Sequence, residues 1–136
     1  MIGNEPQFDQ FISEHRWAAL TTLRSSGNPS TSLVAYARED DSLVVSTPGT
    51  TFKRRSLDRD ARLSLCIFSN AEPFNFVTVE GTAQIETDNL EASTRAVFKN
   101  IEGTGYALPD DLPSWLASQQ RVIIRITPER VYGVIR

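Results

Sequence analysis

The chain has 136 residues, of which 40% are hydrophobic and 23% are charged, and its formal net charge is -3 at pH 7. This length and composition predict a single globular domain over residues 1–136. The weakly acidic balance argues against nucleic acid as the main partner, because a surface that binds a phosphate backbone needs net positive charge. The sequence contains no apolar run near 18 residues, so no membrane partner or transmembrane helix is expected.

The first residues lack the basic and apolar regions of a signal peptide, and we therefore expect a cytoplasmic protein. The chain has one cysteine, Cys66, and one histidine, His15. With so few soft ligands, no metal site is predicted. His15 is expected to be structural at the end of a helix, and Cys66 is expected to be a small core residue within an apolar strand.

The first half of the chain predicts one helix and three strands. Asn4, as a cap, followed by Pro6 and Gln7, is typical of a helix start, and Phe8, Phe11 and Ile12 then share one helical face. Residues 17–23, 31–37 and 43–47 predict strands separated by turn signals at 26–29 and 39–42. We expect these three strands to form an antiparallel meander.

Residues 47–62 combine a Pro-Gly turn, two threonines and a short basic helix. Five basic residues and two aspartates give this segment a local charge of +3 in a chain of net charge -3. The unpaired N–H groups at a helix start carry partial positive charge, and Thr50, Thr51 and Lys53 stand in or beside the first turn. The segment therefore favours an anion site, and a phosphate is the expected anion. The alternative is a solvated helix whose arginines pair with Asp58, Asp60 and distant carboxylates.

The second half of the chain predicts strands at 63–68, 74–86, 122–127 and 131–135. Residues 88–91 resemble a capping box for a helix running to about residue 102, with Leu90, Val97 and Ile101 inward and Gly103 as its stop. Residues 106–113 are expected to form a loop. Six or seven strands with short helices between them predict a mainly β fold, a closed or nearly closed antiparallel barrel.

No assured nucleophile, acid–base pair or metal cluster accompanies the anion site, and no catalytic residue is assigned. This pattern is typical of proteins whose cofactor carries the chemistry.

Several short motifs, in order and spacing, resemble the pyridoxamine 5'-phosphate oxidase-like split β-barrel flavoproteins, an FMN-binding split-barrel fold. Within that family the chain is most similar to the actinobacterial branch that uses the 8-hydroxy-5-deazaflavin coenzyme F420. The marks are WAALTTLR at 17–24, GNP at 27–29, Ser46-Thr47, Thr51, Lys53, Leu57, Arg59-Asp60, RLSL at 62–65 and VEGTA at 79–83.

The resemblance implies an oxidoreductase that transfers hydride from reduced F420 to a small-molecule substrate, and a homodimer with cofactor at the subunit interface. It implies that Thr51 and Lys53 hold the cofactor phosphate and that Thr47 contacts the cofactor. The backbone of the second strand, formed by Ser32, Leu33, Val34 and Ala35, would lie along the ring. Arg54 or Arg55 would meet the acidic tail, while Arg59 and Arg62 are expected to be structural.

Three departures separate this chain from the oxidases that bind flavin mononucleotide (FMN). Phe52 stands where those oxidases have a basic residue, and their arginine near Thr31 and lysine near Tyr36 are missing. F420 is therefore the favoured cofactor and FMN the alternative. A further alternative is a non-catalytic protein that binds flavin or deazaflavin.

Overall fold

The chain folds into seven strands and four short helices in a computed structural model that describes all 136 residues. In chain order these are α1 (Pro6–Glu14), β1 (Trp17–Leu23), β2 (Pro29–Ala35), β3 (Ala37–Glu39), β4 (Ser42–Pro48), α2 (Phe52–Arg59), β5 (Arg62–Phe68), β6 (Phe76–Glu86), α3 (Glu91–Asn100), α4 (Leu112–Ser118) and β7 (Arg121–Val134).

All strands belong to one antiparallel sheet in the order β2-β1-β5-β6-β7-β4-β3, which forms a half-barrel. This confirms the predicted mainly β split-barrel fold. The barrel is not closed by hydrogen bonds, because β2 and β3 are the two edges of the sheet.

The predicted meander of the first three strands is wrong. β2 pairs only with β1, whereas β4 pairs with β3 and β7 at the other end of the sheet. The chain leaves the first edge at Tyr36, whose fully buried side chain donates from its hydroxyl to the Ile12 carbonyl at 2.6 Å. The backbone N–H of Tyr36 donates to the Arg16 carbonyl, so Tyr36 belongs to neither ladder, and β2 ends at Ala35 rather than Ala37.

The two faces of the sheet pack differently. Inside the half-barrel the main core includes Phe8, Phe11 and Ile12 of α1, as predicted, and Leu57 of α2. On the other face, beside β3 and β4, a smaller cluster joins Val44 and Ile123 to inward residues of α3. The predicted inward positions Leu90, Val97 and Ile101 are all buried.

Helix boundaries differ from the predictions at the caps. Helix α1 is preceded by Glu5 rather than Asn4, and its first turn begins at Pro6 without a side-chain cap. Helix α3 begins at Glu91 after Leu90, which makes no side-chain cap bond, and ends at Asn100. The capping box over 88–91 is therefore absent.

The predicted loop over 106–113 runs into an unpredicted helix, α4. The Asp111 carboxylate accepts a hydrogen bond from the Ser114 N–H at 3.2 Å, and Pro113 lies in the first turn. The sequence Asp-Leu-Pro-Ser carries this signal, since aspartate favours the cap and proline the first turn.

The two final strands form one continuous strand, β7, although Pro128 suggests a break. An irregularity in the β6–β7 pairing lies between Glu80 and Gly81, where Gly81 pairs with Pro128. Proline is tolerated at such a position, because the local ladder bond is already interrupted. No helix of the structure is long and apolar enough to cross a membrane.

Candidate functional site

The turn between β4 and α2 brings together residues predicted to bind the cofactor. Thr47 is buried at the end of β4, and its hydroxyl lies 3.1 Å from that of Thr51. The hydroxyl of Thr51, the residue before α2, also donates to the Pro48 carbonyl at 3.1 Å. This side chain makes no cap bond to the helix. The first-turn amides of α2 are therefore left without a capping side chain and can receive an anion.

Gly49 fixes this turn against the start of β7. Its N–H donates to the Gln120 carbonyl at 2.7 Å. A Cβ added at Gly49 would lie 2.4 Å from the Gln120 carbonyl oxygen, closer than any side chain allows. The glycine is therefore required by close backbone approach, and it brings Arg121, the first residue of β7, beside the turn.

Two half-buried cations, Lys53 and Arg121, lie close to this turn without a carboxylate partner. Burial, and then the charge of Arg121, lower the pKa of Lys53. Arg121 donates to the hydroxyl of Ser46 and to the amide oxygen of Gln119, both at 2.9 Å, and its guanidinium lies 4.3 Å from the ring centre of Trp115. Burial lowers the pKa of Arg121, whose Nε is buried without a hydrogen-bond partner. Two uncompensated positive charges at an open helix start favour an anion.

The other basic residues of the segment are arranged differently. Arg54 donates to the Gly49 carbonyl at 3.1 Å, and its Nε lies 2.8 Å from Asp58, an ion pair without hydrogen-bond alignment. Arg55 and Thr50 are exposed. The structure therefore places Arg54 at the turn, partly neutralised, and leaves Arg55 in solvent.

Arg59 and Arg62 make contacts that suit the expected structural role. Arg59 donates to the Leu23 carbonyl at 2.9 Å, and Arg62 pairs with Asp60 at 2.8 Å. Hydrogen bonds from Arg62 lower the pKa of Asp60 to about 2.

The predicted ring-binding segment lies on the edge strand β2. Val34 packs into the main core, whereas Leu33 is 73% exposed and Ser32 is half-buried. Although β2 and β4 are far apart in strand order, the curl of the sheet brings them into contact. β2, which carries Ser32–Ala35, therefore lies next to β4, which carries Thr47.

A groove of about 580 Å³ extends from the turn along α4. Arg54, Gln120 and Arg121 line one part of it, and residues 87–91, which include Asp88 and Glu91, line another. The groove is therefore cationic next to the turn and acidic farther away.

The structure agrees with the expected position of His15 but not with that of Cys66. His15 stacks on Phe11 with ring centres 3.7 Å apart, and its Nδ1 lies 2.8 Å from the Phe11 carbonyl, as expected of a structural histidine. Cys66 is half-buried and alternates with core residues Leu65 and Ile67, so the expectation that it lies in the core is wrong.

The sequence model described as pyridoxamine 5'-phosphate oxidase matches residues 5–135 of this chain. Over 123 residues the chain is 26% identical to an F420H(2)-dependent biliverdin reductase of Mycobacterium tuberculosis, covering 90% of this chain and 82% of that protein.

Two solved structures show the same fold at low identity. One, named as an F420 reductase, has a TM-score of 0.77 at 18% identity and covers 95% of this chain and 98% of its own. The other, a heme storage protein from Vibrio cholerae, has a TM-score of 0.71 at 17% identity and covers 96% of this chain and 94% of its own.

Proposed function

Because the chain belongs to the pyridoxamine 5'-phosphate oxidase family, we propose that it is an F420-dependent reductase of a small-molecule substrate. The family and its named relatives support a flavin or deazaflavin oxidoreductase as the class of activity. The observation that carries the proposal is the turn at α2, where the half-buried Lys53 has no carboxylate partner and the first-turn amides have no capping side chain. This arrangement suits the phosphate that F420 and FMN share.

The residues around the turn fit such a cofactor. Lys53 and the first-turn amides of α2 would hold the phosphate, and the hydroxyl of Thr51 would accept or donate beside it. Thr47 and the backbone of β2 would orient the ring across the opening of the half-barrel. Bound in its reduced form, F420 would supply the hydride, so the protein needs no nucleophile of its own.

Hydride transfer identifies the substrate only by class, as an electrophilic small molecule. Biliverdin is the first compound to test, because a relative that is 26% identical is named for its reduction. FMN remains the alternative cofactor, since the phosphate site alone does not separate the two. A non-catalytic carrier is the second function to test, because a heme storage protein shares the fold.

The test is a titration of the purified protein with F420 and with FMN, followed by chromophore fluorescence. We expect F420 to bind, and Lys53→Ala to weaken binding by about 1–3 kcal/mol, roughly 5- to 150-fold, because a charge-assisted hydrogen bond is lost. Arg95→Ala, an exposed cation on α3, is the matched control and should leave affinity unchanged. Binding of FMN alone would contradict the proposal. Tight F420 binding without turnover of biliverdin or other electrophiles would favour the carrier.

Cofactor affinity should also fall at alkaline pH. Since burial and Arg121 lower the pKa of Lys53, its ammonium begins to lose its proton below the pH at which an ordinary lysine does. An anion binds the protonated form, so affinity is full below this lowered pKa and declines as pH rises through it. Lys53→Arg should remove the decline, because guanidinium stays charged. Identical pH profiles for the two proteins would show that Lys53 does not meet the anion.

We further propose that the outer face of β2, β1, β5, β6 and β7 pairs with a second copy of the chain. One row across five strands reads Leu33, Ala19, Cys66, Thr78 and Tyr132. This row contains no charged residue, and Leu33 and Tyr132 are 73% and 41% exposed. An uncharged row with two large exposed side chains favours association, and an identical row on a second copy is its simplest complement. The same face borders the β2 segment proposed to line the ring.

Leu33→Asp should convert this dimer to a monomer. The side chain is exposed within one copy, so the variant should fold, but a carboxylate would be buried without a partner in the dimer. Mass measured by light scattering during size-exclusion chromatography is the readout. Gln7→Glu adds a charge on exposed α1 and should stay dimeric. A wild-type monomer at all accessible concentrations would contradict the pairing.

A further inference from the structure

We infer that Arg121 determines cofactor specificity by binding the carboxylate that follows the phosphate in F420. This inference rests on the proposed function. Arg121 would bind the carboxylate, whereas Lys53 would bind the phosphate. The groove along α4 would then help to select a cofactor that carries more than one anionic group.

The side chains of Thr47 and Arg121 lie on opposite faces of the β4–β7 pair. Thr47, together with Val45 and Ile124, belongs to the inner face of the β4–β7 pair, as alternation along β4 shows. Arg121 lies on the opposite face, where it reaches Ser46. The threonine pair and Arg121 therefore approach the β4–α2 turn from two sides. A ligand group held by Thr51 and Lys53 leaves Arg121 free for the next group along the ligand.

Uncharged groups hold the Arg121 guanidinium in place. Its partners are a hydroxyl, an amide oxygen and the face of Trp115, all uncharged, and both end nitrogens are oriented by hydrogen bonds at 2.9 Å. An arginine ordered by neutral groups keeps its full charge for a ligand. Its planar fork matches a carboxylate, which is the anionic group that the tail of F420 provides and FMN lacks.

The groove along α4 is lined by charges of both signs. Arg54 and Arg121 stand next to the turn, and Asp88 and Glu91 line the part formed by residues 87–91. A tail carboxylate is attracted to the cationic end, and additional carboxylates meet the acidic part. The groove therefore favours one carboxylate beside the phosphate rather than a long anionic chain.

Three ligands that share one chromophore separate the roles of the two cations. They are the 8-hydroxy-5-deazaflavin with its ribityl chain only, its 5'-phosphate, and F420 with a glutamyl tail. We expect Arg121→Ala to weaken F420 about tenfold, the scale of one charge-assisted hydrogen bond. The 5'-phosphate and the phosphate-free chromophore should bind Arg121→Ala as they bind the wild type. Lys53→Ala should instead weaken both phosphate-bearing ligands.

Arg121→Lys tests whether the carboxylate needs the two parallel N–H groups of a guanidinium. This variant should recover only part of the F420 affinity that Arg121→Ala loses, because an ammonium cannot bind a carboxylate with two parallel bonds. Equal losses for F420 and the 5'-phosphate in Arg121→Ala would overturn the inference, and so would no loss at all. An equal loss for the phosphate-free chromophore would show that Arg121 acts only on the structure. Failure of the wild type to bind any of the three would instead refute the proposed cofactor, so the two failures are distinguishable.

Discussion

Gly49→Ala should abolish measurable cofactor binding and destabilise the protein by about 2–4 kcal/mol. The added methyl would lie 2.4 Å from the Gln120 carbonyl oxygen, so the β4–α2 turn and the start of β7 must separate. The cost combines about 1–3 kcal/mol of overpacking with about 1 kcal/mol for the Gly49–Gln120 hydrogen bond. Separation also moves Lys53 away from Arg121, and displacement of such positioned groups by about 1 Å lowers function by orders of magnitude.

The matched control is Gly81→Ala, whose added methyl would lie 2.1 Å from the Thr127 carbonyl oxygen. This clash is as severe but lies at the β6–β7 irregularity, away from the turn. Both variants should lose stability in denaturant unfolding, and only Gly49→Ala should lose affinity for F420. If Gly49→Ala remains folded and binds F420 as well as the wild type and Gly81→Ala do, the geometry at Gly49 does not support the cofactor site.

The local part of the site could be predicted from the sequence because it lies within one turn of chain. Thr47, Thr51 and Lys53 are separated by four and two residues, and a strand followed by a Pro-Gly turn and a helix places them together whatever the rest of the chain does. The structure brings the two threonine hydroxyls to 3.1 Å. Their interaction with a cofactor stays a prediction.

Arg121 could not be predicted, because its position depends on pairing between distant strands. It faces Pro48 across the β4–β7 ladder, and nothing in the local sequence reveals that β4 pairs with β7 rather than with β2. The expected meander illustrates the same limit, since short turns favour neighbouring strands but buried Tyr36 redirects the chain.

The local sequence does carry signals for the position of Cys66 and for helix α4. Cys66 alternates with Leu65 and Ile67, and this period of two already places it on the outer face. Asp111 and Pro113 carry the cap and first-turn signals of α4. The helix matters for the site, because Trp115 supports the guanidinium of Arg121.

Asn100→Asp should destabilise the protein by about 2–4 kcal/mol near neutral pH, with a partial recovery in acid. The Asn100 side-chain amide donates to the Tyr36 carbonyl at 2.8 Å and to the His15 carbonyl at 3.1 Å, tying the end of α3 to the break between β2 and β3 and to the end of α1. A carboxylate cannot donate, so both carbonyls lose their partner and face a negative charge, at about 1–3 kcal/mol for each unsatisfied group.

The pH dependence identifies the cause of this loss. Repulsion from the two carbonyls should raise the pKa of the new carboxyl in the folded state above its unfolded value. The part of the penalty that comes from the charge is then absent below the unfolded pKa and grows as pH rises toward the folded pKa. Thermal unfolding between pH 4 and pH 8 measures it, and about 3 kcal/mol corresponds to roughly 8–14 °C for a domain of this size. Lys99→Ala, at the exposed neighbouring position on α3, is the control and should show little loss of stability and no added pH dependence. If Asn100→Asp is as stable as the wild type, the two hydrogen bonds of the Asn100 amide do not hold the end of β2 in place.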